Sequence, residues 1–230
     1  MTAFILDLDG TLIDSVYQHV LAWHTALRQC GYDLPMWRIH RKIGMSGGLL
    51  MRALEVELGQ HIDEATSKRL EKIHSDEFER LRPTMQPFCG VREMLQTFAR
   101  NDIRYAIASS GHRQDAEPSL AALGIGDDVP VLTKEDAQNP KPDPQLFLKA
   151  AQRLRSKSED TVVVGDAVWD MLAARRAHFL GVGLLTGGYA ENELTAAGAY
   201  RVFADPDQLR RHLHETGVNI RENDNGPSAI

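Results

Sequence analysis

Two carboxylates stand one residue apart near the start of the chain, in the segment Asp7-Leu8-Asp9. They follow the apolar run Ala3–Leu6, whose continuous hydrophobic residues are typical of a buried strand. Side chains at positions i and i+2 of a strand point the same way, so both carboxylates are predicted on one side of the chain. Two like charges at the end of a buried strand are costly unless a cation lies among them.

Two more aspartates extend this acidic set. Asp166 follows an apolar run of three valines, and Asp170 comes one helical turn later, so both can face one crevice. In an open parallel sheet, that crevice lies outside the carboxyl ends of the strands. Oxygen ligands suit a hard cation, and Mg2+ prefers a few carboxylates, several waters and a substrate phosphate. We therefore predict a Mg2+ site formed by Asp7, Asp9, Asp166 and Asp170.

The same arrangement indicates phosphoryl transfer. A metal ion can free one carboxylate for attack on phosphorus while a second carboxylate serves as acid and base, which is a known route through an aspartyl-phosphate. Ser109 and Ser110 end another predicted strand and fall at the same crevice. Each of these residues alone could form a turn or a helix cap. Such local roles leave the clustered charge unexplained, so we favour the catalytic interpretation.

Apolar runs separated by helix-sized stretches must position these groups. Continuous Val, Ile and Leu runs predict parallel strands that are buried on both faces and joined by right-handed crossovers. The runs lie at 3–9, 103–110, 129–133, 161–166, 179–186 and 200–205, with core helices predicted at 90–100, 113–123, 144–154, 168–177, 191–197 and 207–213. The predicted fold class is therefore α/β, with a doubly wound parallel sheet.

The pattern changes between Ser15 and about Leu81, where helical spacing replaces strand-like runs. This stretch predicts an inserted helical module, and Pro83 and Pro87 indicate the linker that returns the chain to the core. We expect a core domain at 1–14 and 84–214, a helical cap domain at 15–83, and a frayed polar tail at 215–230.

Composition restricts the partners. The formal net charge is −6, with 26 Lys and Arg against 32 Asp and Glu, so no basic face for nucleic acid is expected. Cys30 and Cys89 are far apart and form no zinc-binding or disulfide pattern. Without a signal peptide or a membrane-length apolar run, we expect a cytoplasmic protein that does not bind a membrane.

The motifs together resemble the haloacid dehalogenase (HAD) superfamily, and the match covers nearly the whole chain apart from the tail. They occur in that family's order: Asp7-Leu8-Asp9-Gly10-Thr11, a strand ending at Ser109, Lys141-Pro142 before a helix, and Gly165-Asp166 with Asp170. The resemblance implies a Rossmann-like HAD core with an inserted helical cap, in the branch of phosphatases and β-phosphoglucomutase. A lone pair of aspartates would be weak support, whereas ordered motifs on plausible elements are strong.

The resemblance assigns catalytic roles to three residues. Asp7 would be the nucleophile, and Asp9 would be the general acid and base, with its backbone carbonyl also binding Mg2+. Lys141 would neutralise the nucleophile and the phosphate. Asp9 also separates this chain from haloalkanoate dehalogenases and phosphonatases, which lack an aspartate at that position.

Binding roles follow from the same resemblance. Ser109 would hold the phosphoryl oxygens, together with backbone N–H groups from Ser110 and Gly111. Asp166 would be the principal metal ligand, and Asp170 would be either a second ligand or an orienting partner.

Two residues of the insert have less definite roles. His19 resembles the substrate-contacting histidine of the β-phosphoglucomutase branch, although a lone helical histidine is usually structural. Lys42, in a loop at 42–48, could bind a substrate anion, or the loop could be a simple turn between helices. The mutase branch carries an arginine in this loop, where the present chain has Gly47.

These features predict a Mg2+-dependent phosphatase that hydrolyses a small phosphorylated metabolite through an aspartyl-phosphate on Asp7. The first alternative is a sugar phosphomutase of the β-phosphoglucomutase type. The second is a non-catalytic phosphoacceptor module, because receiver domains also combine strand-end aspartates with Mg2+. Receiver domains are shorter, lack a cap insert and need no acid equivalent to Asp9.

Overall fold

The predicted apolar runs form one parallel sheet in the computed structural model, which describes residues 2–45 and 47–218. The strands are β1 (Ala3–Leu6), β2 (Arg104–Ala108), β3 (Val131–Leu132), β4 (Thr161–Gly165), β5 (Leu180–Leu184) and β6 (Ala199–Phe203). Their order is β3-β2-β1-β4-β5-β6, and every neighbouring pair is parallel. Strand β1 is therefore central, so the chain that leaves its carboxyl end emerges between β2 and β4.

The sheet is buried on both faces, as a doubly wound fold requires. Phe4 and Leu6 of β1 belong to one hydrophobic cluster, whereas Ala3 and Ile5 belong to another on the opposite face. All four side chains are fully buried. This alternation confirms the predicted fold class.

Four helices fill the inserted stretch between β1 and the rest of the core: α1 (Val16–Gln29), α2 (Met36–His40), α3 (Gly47–Leu58) and α4 (Glu64–Leu81). They share a separate hydrophobic cluster, to which Leu27, Leu54 and Leu70 contribute fully buried side chains. However, Ala22 of α1 and Phe78 of α4 also belong to a sheet-side cluster. The insert thus has its own core and is packed on the sheet domain, while the exact domain boundaries stay a prediction.

The core helices follow the sequence prediction closely. They are α5 (Val91–Arg100), α6 (Arg113–Leu123), α7 (Gln145–Leu154), α8 (Val168–Arg176), α9 (Glu191–Ala197) and α10 (Pro206–Arg211). Most ends fall within a residue of the predicted ones, because apolar spacing and capping residues determine where a helix can begin. The predicted strand at 129–133 is shorter, since only Val131 and Leu132 pair with β2.

The predicted polar tail begins later than expected. Thr216 and Val218 are buried, and Val218 belongs to the same cluster as Phe4. The prediction of a frayed end was therefore wrong for 215–218, because one valine in a polar segment shows no periodicity. Residues 219–230 lie outside the described residues. Within the described range, no helix combines the length and apolarity needed to cross a membrane.

Candidate active site

Asp7 and Lys141 form a buried ion pair at the carboxyl end of the sheet. Asp7 directly follows β1, and its backbone N–H donates to the carbonyl of Val164 over 2.9 Å. The Nζ atom of Lys141 lies 2.6 Å from Oδ1 of Asp7 and 2.7 Å from Oδ1 of Asp170. One ammonium thus lies between two carboxylates, one directly after β1 and the other in the first turn of α8.

Burial governs the protonation of this pair. Loss of solvent raises the pKa of Asp7 to about 7, although Lys141 opposes the change and Asp170 adds to it. Burial alone would lower the pKa of Lys141, but the carboxylates of Asp170 and Asp7 outweigh it and raise that pKa. Lys141 is therefore a permanent positive charge beside Asp7 at neutral pH.

Three carboxylates converge at this point. Oxygen atoms of Asp7, Asp166 and Asp170 all lie within 4.8 Å of one another. Burial and the charges of Asp170 and Asp7 raise the pKa of Asp166 well above its usual value. The single ammonium of Lys141 cannot balance three carboxylates, so the set is chemically suited to a hard divalent cation.

Asp170 also has a structural partner. Its Oδ2 accepts a hydrogen bond from the backbone N–H of Ala167 over 3.1 Å, which caps the first turn of α8. Since Oδ1 faces Lys141, the side chain both starts the helix and orients the lysine. The two predicted roles of Asp170, ligand and orienting partner, are thus compatible with its position.

Sequence reasoning missed three residues that surround Asp166. Thr11 Oγ1 donates to Asp166 Oδ1 over 2.8 Å. Gly10 has a φ of +80°, and a Cβ atom there would lie 2.3 Å from Asp166 Oδ2. At Gly187 a Cβ atom would lie only 1.9 Å from the same oxygen. Gly10 and Thr11 stood in the quoted motif, whereas Gly187 was assigned no role, because its approach to Asp166 is entirely tertiary.

Asp9 faces a different set of groups. Its Oδ1 accepts a hydrogen bond from Ser15 over 2.7 Å and lies 3.5 Å from Nε2 of His19. Its Oδ2 accepts from Ser109 over 3.4 Å. Burial would raise the pKa of Asp9, but His19 and Ser15 outweigh that effect and lower it. Its carboxylate is not part of the three-carboxylate cluster, so metal binding through its backbone carbonyl stays a prediction.

His19 lies within a layer of aromatic rings. Its Nδ1 shares a 3.1 Å hydrogen bond with Nε2 of His74, and its ring stacks on Phe78 at 3.9 Å between centroids. Trp23 stacks on His74 at 4.2 Å. The surrounding rings desolvate His74 and lower its pKa well below the usual value, with the nearby His19 adding to the effect. The sequence analysis did not single out His74.

The serine loop after β2 closes the site from the other side. The backbone N–H of Ser109 donates to Leu132 of β3 over 3.0 Å, and its Oγ accepts from the N–H of Gly111 over 3.1 Å. Ser110 instead donates through its hydroxyl to the carbonyl of Gly44, in the insert, over 3.1 Å. The predicted phosphate-binding residues thus lie beside Asp9, and Ser110 also contacts the insert.

Lys42 is not placed as expected. Its Nζ atom pairs with Glu57 of α3 over 2.8 Å, and Arg38 contacts the same carboxylate over 2.9 Å. Lys42 is also absent from the residues that line the site cavity. The charge of Lys42 is thus already neutralised within the insert, so we do not propose that Lys42 binds the substrate.

A cavity of about 350 Å³ lies between the sheet and the insert. The sheet domain supplies its acidic and hydroxyl end, with Asp7, Asp9, Ser109 and Asp166 among the lining residues. The insert supplies the opposite wall, and the lining residues there are His19, Trp23, Ile43, Gly44, Met45, Leu50, Lys68, Glu71, Lys72, His74, Ser75 and Phe78. The insert wall thus combines four rings with aliphatic side chains and with the charged residues Lys68, Glu71 and Lys72.

This combination of fold and cavity has known counterparts. Residues 4–182 match the family described as haloacid dehalogenase-like hydrolase. The chain belongs to that family. The matched residues include Asp7, which follows the central strand, and the whole helical insert.

Individual relatives of the family cover most of the chain. It is 32% identical over 194 residues to a plasmid-encoded phosphoglycolate phosphatase of Cupriavidus necator, covering 82% of each chain. It is 28% identical over 190 residues to the validoxylamine A 7'-phosphate phosphatase of Streptomyces hygroscopicus, covering 81% of this chain and 87% of that one. The crystal structure of a hydrolase from Pseudomonas syringae superposes with a TM-score of 0.91 at 46% identity, covering 94% of this chain and 99% of that one.

Proposed function

We propose that this chain is a Mg2+-dependent phosphatase that hydrolyses a small phosphomonoester through an aspartyl-phosphate on Asp7. The observation that carries the proposal is the position of Asp7, which lies 2.6 Å from the Lys141 ammonium within a cluster of buried carboxylates at the end of a cavity. Membership of a hydrolase family and similarity to chains named as phosphatases support it.

The carboxylate cluster fits a divalent metal ion. Asp7, Asp166 and Asp170 offer oxygen ligands within 4.8 Å of one another, and Thr11 fixes one oxygen of Asp166. An all-oxygen set of this kind suits Mg2+. When bound, the ion would neutralise negative charge on the carboxylates and on a phosphoryl group.

In the first step, a carboxylate oxygen of Asp7 attacks phosphorus and the bond from phosphorus to the leaving oxygen breaks. Lys141 balances the charge of Asp7 and of the transferring phosphoryl group, and the Ser109 loop supplies hydroxyl and N–H donors. Asp9 gives its proton to the leaving oxygen, so the alcohol departs neutral. Asp9 lies beside Ser109 and outside the carboxylate cluster. Since His19 and Ser15 lower its pKa in the free protein, we expect the arriving phosphoryl charge to raise that pKa and make the acid form available.

In the second step, water attacks the phosphorus of the phosphorylated Asp7. The carboxylate of Asp9 takes the proton from that water, and the bond between phosphorus and the Asp7 oxygen breaks. Inorganic phosphate leaves, Asp7 is restored, and Asp9 is protonated again for the next cycle. One residue thus acts as acid and then as base.

We further propose that the insert acts as a mobile cap over 15–83. Several hydrogen bonds join the insert to the core, and a hinge motion could form and break them. The hydroxyl of Ser110, for example, donates to the Gly44 carbonyl over 3.1 Å. Nε2 of His40 lies 2.7 Å from the Gly187 carbonyl, and the Tyr189 hydroxyl donates to the Arg41 carbonyl over 3.2 Å. Closure would exclude bulk water while phosphorus is attacked by Asp7.

A sugar phosphomutase is the second candidate. It is favoured by His19, which lies 3.5 Å from Asp9, as the resemblance to the β-phosphoglucomutase branch implies. It is disfavoured by Gly47, which supplies no positive charge for the second phosphate of a bisphosphate intermediate. A mutase would isomerise a sugar phosphate in the presence of a catalytic bisphosphate and would release little phosphate.

The test is phosphate release from a panel of sugar phosphates, phosphoglycolate and nucleotides, with Mg2+ or with EDTA, and with or without a sugar bisphosphate. We expect Mg2+-dependent release that Asp7→Asn abolishes, while Asp14→Asn, at an exposed neighbouring aspartate, retains it. Mass spectrometry of acid-quenched protein should locate the phosphoryl group on Asp7. Full activity of Asp7→Asn would exclude the proposed mechanism. A stable phosphoprotein without turnover would indicate a phosphoacceptor module instead.

A further inference from the structure

The cavity beside Asp9 is bounded by a layer of rings from α1 and α4, here called the ring wall and made up of His19, Trp23, His74 and Phe78. Trp23 stacks on His74 at 4.2 Å with 20° between the planes, and His19 stacks on Phe78 at 3.9 Å with 12°. The two imidazoles are within 7° of parallel and share a 3.1 Å hydrogen bond. These contacts hold the ring wall as one ordered surface.

The position of the ring wall relates it to the leaving group of the substrate. His19, which stacks on both His74 and Phe78, lies 3.5 Å from Asp9, the residue proposed to protonate the leaving oxygen. The phosphoryl group belongs at the opposite, acidic end with Asp7. The leaving group must therefore begin beside His19 and extend along the rings.

Aliphatic side chains also line this part of the cavity. Ile43 and Met45, from the loop before α3, and Leu50 of α3 line it. Trp23 and Phe78 are nearly fully buried, and His74 remains neutral because desolvation lowers its pKa. A flat group in this part of the cavity would contact both ring and aliphatic side chains.

The lysines that line the cavity lie away from the ring wall or already pair with a carboxylate. On α4, Lys68 precedes Phe78 by ten residues, which is about 15 Å along a helix. Lys68 pairs with Glu64 over 2.7 Å, and Lys72 pairs with Asp76 over 2.9 Å.

The remaining cavity lysine, Lys134, belongs to the sheet domain. It lies 3.1 Å from Nε2 of His112 and 3.9 Å from Glu71. Among the described residues that line the cavity, therefore, each lysine already has a polar or acidic neighbour. A carboxylate on a short leaving group would lie near the rings without an unengaged ammonium to bind it.

We propose that the ring wall is the leaving-group subsite, and that it selects phosphomonoesters of an uncharged ring with a flat apolar face over those of a short anionic alcohol. Sugars, cyclitols and aryl alcohols share this chemistry, because each offers a flat C–H or π face to a ring. The inference rests on the proposed function, since Asp9 defines where the leaving group begins.

The test compares initial rates of phosphate release, with Mg2+, from a hexose 6-phosphate, benzyl phosphate and phosphoglycolate. All three are esters of alkyl alcohols, so leaving-group basicity does not dominate the comparison. We expect kcat/KM for at least one ring substrate to exceed that for phosphoglycolate about tenfold or more. The better of the two ring substrates distinguishes a carbohydrate from an aryl leaving group.

Trp23→Leu removes one ring of the wall and keeps an apolar side chain. It should lower kcat/KM for the ring substrate about tenfold, mainly through KM, and change that for phosphoglycolate less than twofold. Trp23→Phe should restore most of the preference. The matched control is Trp37→Leu. This tryptophan is 64% exposed and does not line the cavity, so the substitution should leave kcat/KM unchanged for both substrates.

The outcomes separate this inference from the proposed function. Equal or faster hydrolysis of phosphoglycolate by the wild type would overturn the inference and leave the phosphatase intact, and this comparison requires no variant to fold. An equal loss for both substrates in a folded Trp23→Leu would also overturn it. No phosphate release from either ring ester would overturn the inference, whereas the proposed function fails only if no ester of the whole panel is hydrolysed.

Discussion

Nζ of Lys141 lies 2.6 Å from Oδ1 of Asp7, and both side chains are almost fully buried. The two residues are 134 positions apart in the chain, and they meet because parallel strands end at the same edge of the sheet. Burial protects this carboxylate from solvent and keeps a cation beside it, which is the arrangement that the proposed attack on phosphorus requires.

Lys141→Met should therefore affect both activity and stability. Phosphate release should fall at least about 100-fold, because the developing phosphoryl charge loses a preorganised cation. The free energy of unfolding should fall by about 3 kcal/mol, because Asp7 and Asp170 lose their buried partner. Kinetic assays and urea unfolding measure the two effects.

Lys157→Met provides the control for loss of a lysine. Lys157 is largely exposed and lies 3.8 Å from the exposed Glu159, so its removal should cost less than about 1 kcal/mol. A Lys141→Met protein with wild-type stability and activity would contradict the central role of the pair.

Asp9→Asn should make the rate depend strongly on the leaving group. An asparagine cannot supply a proton, so kcat for an alkyl phosphate should fall about 100-fold or more. Formation of the phosphorylated enzyme from 4-nitrophenyl phosphate should be affected much less, since nitrophenolate leaves without protonation. Rapid-quench measurement of phosphorylated protein separates the two steps. An equal loss on both esters would argue against Asp9 as the acid.

Thr11→Val should weaken metal binding. The variant keeps the shape of the side chain but removes the donor that holds Asp166 Oδ1 at 2.8 Å. Groups that orient a metal ligand typically contribute about 10- to 100-fold to affinity, so the Mg2+ concentration for half-maximal activity should rise about tenfold or more. Titration of activity with Mg2+ measures this half-maximal concentration.

Thr97→Val is the matched substitution for Thr11→Val. Thr97 is also buried, but its hydroxyl donates to the Glu93 carbonyl within α5, away from the cavity. It should leave the Mg2+ dependence unchanged. If both variants shift the Mg2+ dependence equally, the contact between Thr11 and Asp166 does not determine the affinity for Mg2+.

Gly10→Ala should abolish activity, because a Cβ atom would lie 2.3 Å from Asp166 Oδ2. Gly31 has a similar φ of +85°, but a Cβ atom there would meet nothing within 4 Å. Gly31→Ala thus carries only the cost of the left-handed backbone, about 1–2 kcal/mol, and should retain activity. Assays of both variants, normalised to folded protein from circular dichroism, measure the difference. Comparable activities would show that Asp166 can yield to the added methyl group.

The sequence predicted the sheet accurately for a simple physical reason. A strand buried on both faces needs a continuous apolar run, and Ala3–Leu6 and Thr161–Gly165 are such runs. The helices of the core were predicted for the related reason that one face must be apolar every third or fourth residue. The ending at 215–218 was mispredicted because the burial of Val218 depends on the surface against which it lies.

The site was predicted in part. Asp7, Asp166 and Asp170 were expected together, and their oxygen atoms lie within 4.8 Å. For Lys42, binding of a substrate anion and a simple turn between helices were both open, and it pairs with Glu57, whose distance from Lys42 the sequence does not reveal. The roles assigned to these residues stay predictions until the variants are measured.

The sequence by itself determined the order of the strands along the chain and the acidic and hydroxyl residues at their carboxyl ends. It did so because local apolar patterns specify elements, and a parallel sheet brings the ends of its strands to one edge. Only the tertiary structure placed Thr11 and Gly187 against Asp166 and layered His74 with Trp23 and His19. Such contacts join segments that are distant in the chain, so they depend on how whole elements pack and leave no periodic signal in the sequence.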